Sequence, residues 1–281
     1  MHVYDVAGTA LSAIYDRSGA KLQKAYDIEG DIVYTEDTRQ WLDTAVITAL
    51  PTISVAGVKQ GGCTDGEYIY QCSGDSSNYT YMQIIKYKIS DGTYTVKRFD
   101  GTPNFGHAND MTYNPKTGYL YVCTMLEDGS IIVLNANDLS YVETIYIKNY
   151  EGNAYRVWQF CYDRNLDVYY SSCGATEWDP TSVCVYDANW ECLEQRGLAN
   201  IPSATMQGSE TDGTYYYRIL YNPNIINVVD LTTGELVKNI TNPVTREPEA
   251  IMYDWNGNYY FSGYNTPSLF YRLKMFEGGN S

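Results

Sequence analysis

Short aromatic or aliphatic runs, each closed by a polar turn, recur along the chain. Five of them are Tyr68-Ile69-Tyr70, Tyr119-Leu120-Tyr121, Val168-Tyr169-Tyr170, Tyr215-Tyr216-Tyr217 and Tyr259-Tyr260-Phe261. A further run follows each, as in Ile84-Ile85-Lys86-Tyr87, Ile131-Ile132-Val133-Leu134, Val183-Cys184-Val185-Tyr186, Ile226-Asn227-Val228-Val229 and Leu269-Phe270-Tyr271. Turns at Asp91-Gly92, Asn137-Asp138, Asn189-Trp190 and Thr233-Gly234 then lead into another. Aromatic and β-branched runs of this length between Gly, Asn and Asp turns predict strands.

The runs are phased by a long, degenerate repeat. With Asn109 and Asn114 of the stretch Gly106 to Tyr121 as markers, a step of 49 residues lands on Gln60 and Asp65 in one direction and on Trp158 and Asp163 in the other. A further 49 reaches Gln207 and Asp212, and a shorter step of 42 reaches Glu249 and Asp254. Two copies align without gaps, Gln60-Gly61-Gly62-Cys63-Thr64-Asp65-Gly66-Glu67-Tyr68 on Gln207-Gly208-Ser209-Glu210-Thr211-Asp212-Gly213-Thr214-Tyr215. Periods of roughly 40 to 50 residues holding four short strands are the signature of a β-propeller. The expectation is an all-β, five-bladed β-propeller.

The last copy runs out after its third strand, and Ala45 to Leu50 is a strand-like segment with no blade of its own. This N-terminal strand is expected to complete the last blade, closing the ring and covering two open sheet edges. Before it lies a second repeat of period 11, Tyr4-Asp5-Val6-Ala7-Gly8, Tyr15-Asp16-Arg17-Ser18-Gly19 and Tyr26-Asp27-Ile28-Glu29-Gly30, with aliphatic anchors at Leu11, Leu22 and Val33. One unit cannot bury both its anchors, so stacking or pairing with another chain is expected. The chain therefore divides into residues 1–37, a stalk or oligomerisation segment, and residues 38–281, the propeller. Residues 1–36 are expected to build a homotrimer, with docking on the chain's own propeller as the alternative.

Charge narrows the partners. With 19 Lys plus Arg against 34 Asp plus Glu, the net charge of -15 repels phosphate backbones and anionic membranes, which excludes nucleic acid and membrane surfaces. Met1-His2-Val3-Tyr4-Asp5 lacks the basic start and apolar stretch of a secretory signal. The seven cysteines form an odd set without paired CxxC spacing or histidine partners, and most fall in expected strands. Buried free thiols of a protein made in a reducing cytoplasm are the reading, with neither metal nor cofactor expected.

Pseudo-symmetry gathers Gln60, Asn109, Trp158, Gln207 and Glu249 around one end of the central channel. Planar amides, a carboxylate and an indole suit a sugar, giving paired hydrogen bonds to hydroxyls and stacking on the ring face. His107, Asp110, Tyr155, Arg156, Gln159, Glu210 and Glu247 stand near these positions in sequence and join the candidate ligand-binding set. The alternative is that such residues satisfy backbone groups at strand starts. Asp65, Asn114, Asp163, Asp212 and Asp254 are read as turn residues bonding the backbone two residues on. His107 lacks the spacing of a nucleophile and orienter, so no catalytic residue is assigned.

The segment Gly106-His107-Ala108-Asn109-Asp110-Met111-Thr112-Tyr113-Asn114-Pro115, with its Gln-Gly and Glu-Pro-Glu-Ala variants, resembles the five-bladed propeller of tail receptor-binding proteins in phages of Gram-positive bacteria. The resemblance covers about residues 45 to 275. It implies a trimeric adhesin of a virion tail or extracellular surface that recognises wall glycan or a teichoic-acid-like ligand without catalysis. The chain departs from that pattern in lacking a long coiled-coil stem. A rival reading is a propeller glycoside hydrolase using Asp110, Glu210 and Glu249. A third is a structural assembly protein without ligand.

Overall fold

The computed structural model describes residues 39–74, 81–173, 181–202, 204–244, 246–264 and 269–277, with the backbone of four short strands nearer the N-terminus. The chain forms two compact units, one of Met1–Leu42 with Met275–Ser281 and one of Asp43–Lys274. In the first, β1 (Val3–Tyr4) pairs with β2 (Ala10–Leu11), and β3 (Lys24–Tyr26) pairs with β4 (Ile32–Thr35), both antiparallel. The rest of the 11-residue repeat, with the side chains of its anchors, lies outside the described residues. Trp41 meets Phe276 edge-on at 5.2 Å, and the Arg39 guanidinium sits over both rings.

Among the described residues of the larger unit there are strands and turns and no helix. Three sheets are four-stranded antiparallel meanders. The first runs β6 (Val58–Thr64), β7 (Tyr68–Gly74), β8 (Met82–Lys88), β9 (Tyr94–Phe99). The second runs β10 (Asp110–Asn114), β11 (Tyr119–Cys123), β12 (Ser130–Asn135), β13 (Tyr141–Tyr146). The third runs β14 (Phe160–Asp163), β15 (Val168–Cys173), β16 (Ser182–Tyr186), β17 (Cys192–Gly197). An eight-stranded sheet takes up the rest. One half is β18 (Thr205–Thr211), β19 (Tyr215–Tyr221), β20 (Ile225–Asp230) and β21 (Leu236–Thr241); the other is β22 (Pro248–Tyr253), β23 (Tyr259–Gly263) and β24 (Phe270–Glu277). Between β21 and β24 lies β5 (Gln40–Ala49).

The architecture is propeller-like. The first strands neighbour one another in the cyclic order β6, β10, β14, β18, β22 and back to β6. Burial is deepest in these strands and fades outward: Cys63 and Met111 are enclosed, whereas Tyr94, Val96, Tyr141 and Tyr146 on the fourth strands are exposed. Aromatic rings fill the space between neighbouring sheets. Phe160 stacks on Tyr169 at 5.4 Å, and Tyr121 of the preceding sheet meets Tyr169 edge-on at 5.3 Å. Rings of this size supply large apolar area, and the tyrosine hydroxyls reach polar partners at the sheet ends, as Tyr70 does at Asp65 and Tyr217 at Asp212.

The turns behave as their sequences imply. Asp65, Asp163, Asp212 and Asp254 each accept from the amide two residues on, at Glu67, Asn165, Thr214 and Asn256, and Asn114 does the same for Lys116. The same local bond thus seats the first hairpin of every repeat.

β5 begins five residues before the Ala45 expected from sequence, because the chain from Gln40 is already extended. It joins β21 through one parallel pair, Thr241 with Thr44, and beyond its end the Leu50 amide donates to Phe270 O at 2.9 Å. Leu50 packs in a core cluster with Tyr87, Tyr260 and Phe270. Deleting residues 1–36 is expected to leave the thermal transition within a few degrees of wild type, while deleting 1–52 removes β5, frees edges on β21 and β24, and produces aggregation or an unfolded chain. Differential scanning calorimetry of the two truncations distinguishes these outcomes, and equal stabilities would contradict the role given to β5.

Candidate functional site

The residues just before and at the start of the inner strands are brought together as the repeat implies. Asn109 Nδ2 donates to Trp158 O at 2.7 Å, and Gln207 Nε2 donates to Glu247 Oε1 at 2.8 Å. Glu249 is buried and coupled electrostatically to Glu247 and Lys59. Lys59, which the spacing did not single out, is itself buried, and its ammonium donates to Val55 O, Gly57 O and Ser73 Oγ at 2.7, 2.8 and 3.1 Å. Burial pushes the Glu249 carboxyl well above the usual range, Glu247 adds to the effect and Lys59 opposes it. Burial also brings Lys59 down to about 8, against the pull of Glu249.

Two amide oxygens in this ring, Gln60 Oε1 and Gln207 Oε1, are buried without a hydrogen-bond partner among the described residues. Such an acceptor costs about 1–3 kcal/mol when left dry. Trp158 is only 6 % exposed and packs with Met206 and Leu220, so most of its indole surface serves the core. His107 is half-buried, which lowers its pKa. Tyr155, also half-buried, donates to Ser171 Oγ at 2.7 Å and lies 2.8 Å from Tyr186 Oη, and Arg156 pairs with the exposed Glu127 at 2.8 Å.

Asp110 lies one residue deeper and is fully enclosed. Its Oδ2 accepts from the Phe160 amide at 2.8 Å, the Ser209 amide at 2.8 Å and Ser209 Oγ at 2.9 Å, and its Oδ1 from the Met111 amide at 2.9 Å. One carboxylate therefore ties together β10, β14 and β18. The space comes from two glycines: a Cβ on Gly61 would fall 2.3 Å from Asp110 Cα, and one on Gly208 would fall 2.8 Å from Glu249 O and 3.3 Å from Asp110 Oδ1. Burial raises the Asp110 carboxyl well above the usual range, and the four donated bonds oppose that shift.

Gln159 occupies the corresponding place in the repeat, just before β14. Its Nε2 donates to Gly208 O, while its Oε1 accepts from Ser172 Oγ at 2.6 Å and from Arg218 Nε at 3.1 Å. Arg218 is the largest fully buried side chain among the described residues. Its signal in the sequence is an arginine within the otherwise apolar run Tyr215 to Tyr221, as Gln71 is within Tyr68 to Cys72: an interior polar residue in a buried strand marks a polar network. Glu210, two residues before the marker Asp212, accepts from the Thr211 amide at 2.9 Å and from the Tyr253 amide at 3.3 Å, bridging β18 and β22. Burial pushes its carboxyl up to about 8. Asp110, Gln159 and Glu210 are thus engaged within the fold, whereas Gln60, Gln207, Glu247 and Glu249 carry the unspent polarity.

The raised Glu210 pKa fixes a pH dependence. Between its ordinary value of 4.5 and about 8, the folded state holds a proton that the unfolded state has lost, so this group lowers stability as pH rises through that window. Lys59 acts with the opposite sign, and only between about 8 and its ordinary 10.5. Glu210→Met, which places there the residue found at the equivalent Met252, is expected to make the decline between pH 5 and 8 shallower by up to about 1.4 kcal/mol per pH unit. Urea unfolding across that range checks it, and an unchanged slope would contradict it.

No family model and no curated protein matches the chain. Among solved structures, it is similar to Myxococcus xanthus glutaminyl cyclase, at 12% identity and a TM-score of 0.62 over 84% of this chain and 99% of that one. It is also similar to the structure of U3-55K, at 9% identity and a TM-score of 0.50 over 82% of this chain and 98% of the other. At these identities the likeness concerns fold alone, and with the sheet topology it identifies a β-propeller-like all-β chain.

Proposed function

We propose that the chain is a five-bladed propeller, closed by β5, whose ring of strand starts binds a saccharide without turning it over. The observation that carries this reading is the pair of unpartnered acceptors, Gln60 Oε1 and Gln207 Oε1, on the inner strands that also bring in Glu249. A ligand that relieves them brings hydrogen-bond donors, and the vicinal hydroxyls of a sugar do so at a spacing that two amides and a carboxylate can meet. The acidic balance disfavours anionic ligands and suits a neutral glycan.

The hydrolase reading is weaker because two of its three carboxylates already have work. Asp110 accepts four hydrogen bonds and Glu210 accepts two backbone amides, which leaves Glu249 without a second free carboxylate of that set. The setting we propose is a receptor-binding protein of a phage tail or a surface adhesin, its weak single sites multiplied by trimerisation through residues 1–36.

A glycan array on purified protein, read beside a reducing-sugar assay, tests this. Gln60→Leu and Gln207→Leu should each weaken binding of the recognised glycan by about 5- to 150-fold, the range that corresponds to 1–3 kcal/mol, with the fold retained. Binding unchanged in both variants would remove the ring from the site. Sugar release by wild type that vanishes in Glu249→Gln would replace the adhesin with a hydrolase.

A further inference from the structure

Four of the seven cysteines, Cys63, Cys72, Cys123 and Cys161, are enclosed at 0–1 % exposure, and burial drives each of their thiols up, away from the reactive thiolate. The remaining three lie in one sheet. Cys173 ends β15, Cys184 is in the middle of β16 and Cys192 opens β17. Ser171 pairs with Cys184 and Cys173 with Ser182, so Cys173 and Cys184 occupy one face as diagonal cross-strand neighbours. Their sulfurs are 2.7 Å apart, against about 2.05 Å for a disulfide. Phe160, Tyr169 and Tyr186 share their core cluster and keep water from the pair, while Cys173 retains 5 % exposure at the strand end.

We propose that Cys173 and Cys184 are a reversible two-electron redox site, a dithiol that a hydroperoxide closes to a disulfide. One thiolate of the pair attacks the terminal peroxide oxygen, forming an S–O bond and breaking the O–O bond, and the alcohol or water leaves with a proton. The other sulfur then attacks the sulfenic sulfur, forming the S–S bond and releasing water. In sum, two thiols and one hydroperoxide give one disulfide, one alcohol or water, and one further water. Sharing a proton with Cys173, its first and largest influence, lowers the Cys184 thiol to about 7, and Cys173, at the strand end, is the more exposed of the two. The closed bond would clamp β15 to β16 next to Ser171, which holds the Tyr155 hydroxyl of the loop leading to Trp158.

The test is to treat the full chain with graded hydrogen peroxide, alkylate remaining thiols in denaturant and map the peptides. The expected result is loss of two of the seven thiols, peptides of Cys173 and Cys184 linked, reversal by dithiothreitol and a rise in melting temperature. Cys192→Ala should form the same link, and Cys173→Ala, which keeps Cys184, should form none. A link joining Cys184 to Cys192 instead, or oxidation confined to Cys192 with the other six thiols intact, overturns the assignment.

Discussion

Three of the inner strands are tied together by one buried carboxylate. Asp110 receives donors from β10, β14 and β18, strands far apart in sequence that nothing local would hold together. Each bond to an ionised acceptor is stronger than its neutral counterpart. Together they oppose the cost of taking the group out of water, which still raises the carboxyl well above the usual range. The inner strands can close around it because Gly61 and Gly208 carry no side chain where a Cβ would strike Asp110 or the neighbouring backbone. A buried carboxylate of this kind also sets a limit on function: its lone pairs are committed, so the chemistry open to solvent is that of the ring above it.

That division explains why so much of the polarity near the axis is structural. Gln159, Ser172, Tyr216 and Arg218 form a network behind Asp110, and Glu210 plays a similar bridging part between β18 and β22. The amides Gln60 and Gln207 are different, since each retains a buried oxygen without a donor. Lys59 adds a cation beside Glu249 that is held by backbone carbonyls. The ring end is therefore one place where folding has left hydrogen-bonding capacity over, and the cysteine pair lies in the third sheet.

What the sequence made legible follows the range of the forces. The Asp and Asn turn markers were readable because an Asx turn is a bond between residues two apart, and all five form it. The cyclic order of inner strands followed from the period of 49, and the place of β5 beside β24 from the missing fourth strand of the last copy. Less legible was which of two adjacent residues points inward. Register shifts between Lys59 and Gly62, Met206 and Ser209, and Pro248 and Ala250 interrupt the alternation, so Gln60, Gln207 and Glu249 could not be ranked against their neighbours by spacing. Trp158 read as a stacking face because its partners Met206 and Leu220 are nearly 50 residues or more away. The approach of Cys173 to Cys184 needed the cross-strand register that only the folded sheet supplies.

The most direct test of this buried carboxylate as the tie between the inner strands is amide hydrogen exchange at Phe160 and Ser209, compared between wild type and Asp110→Asn. The substitution keeps the side chain's shape but removes its charge and turns one acceptor into a donor that faces other donors. Both amides should be among the slowest to exchange in wild type, and both should speed up by orders of magnitude in the variant, together with their neighbours on β14 and β18. Protection at both amides unchanged by Asp110→Asn would show that the ring is held by something other than this carboxylate.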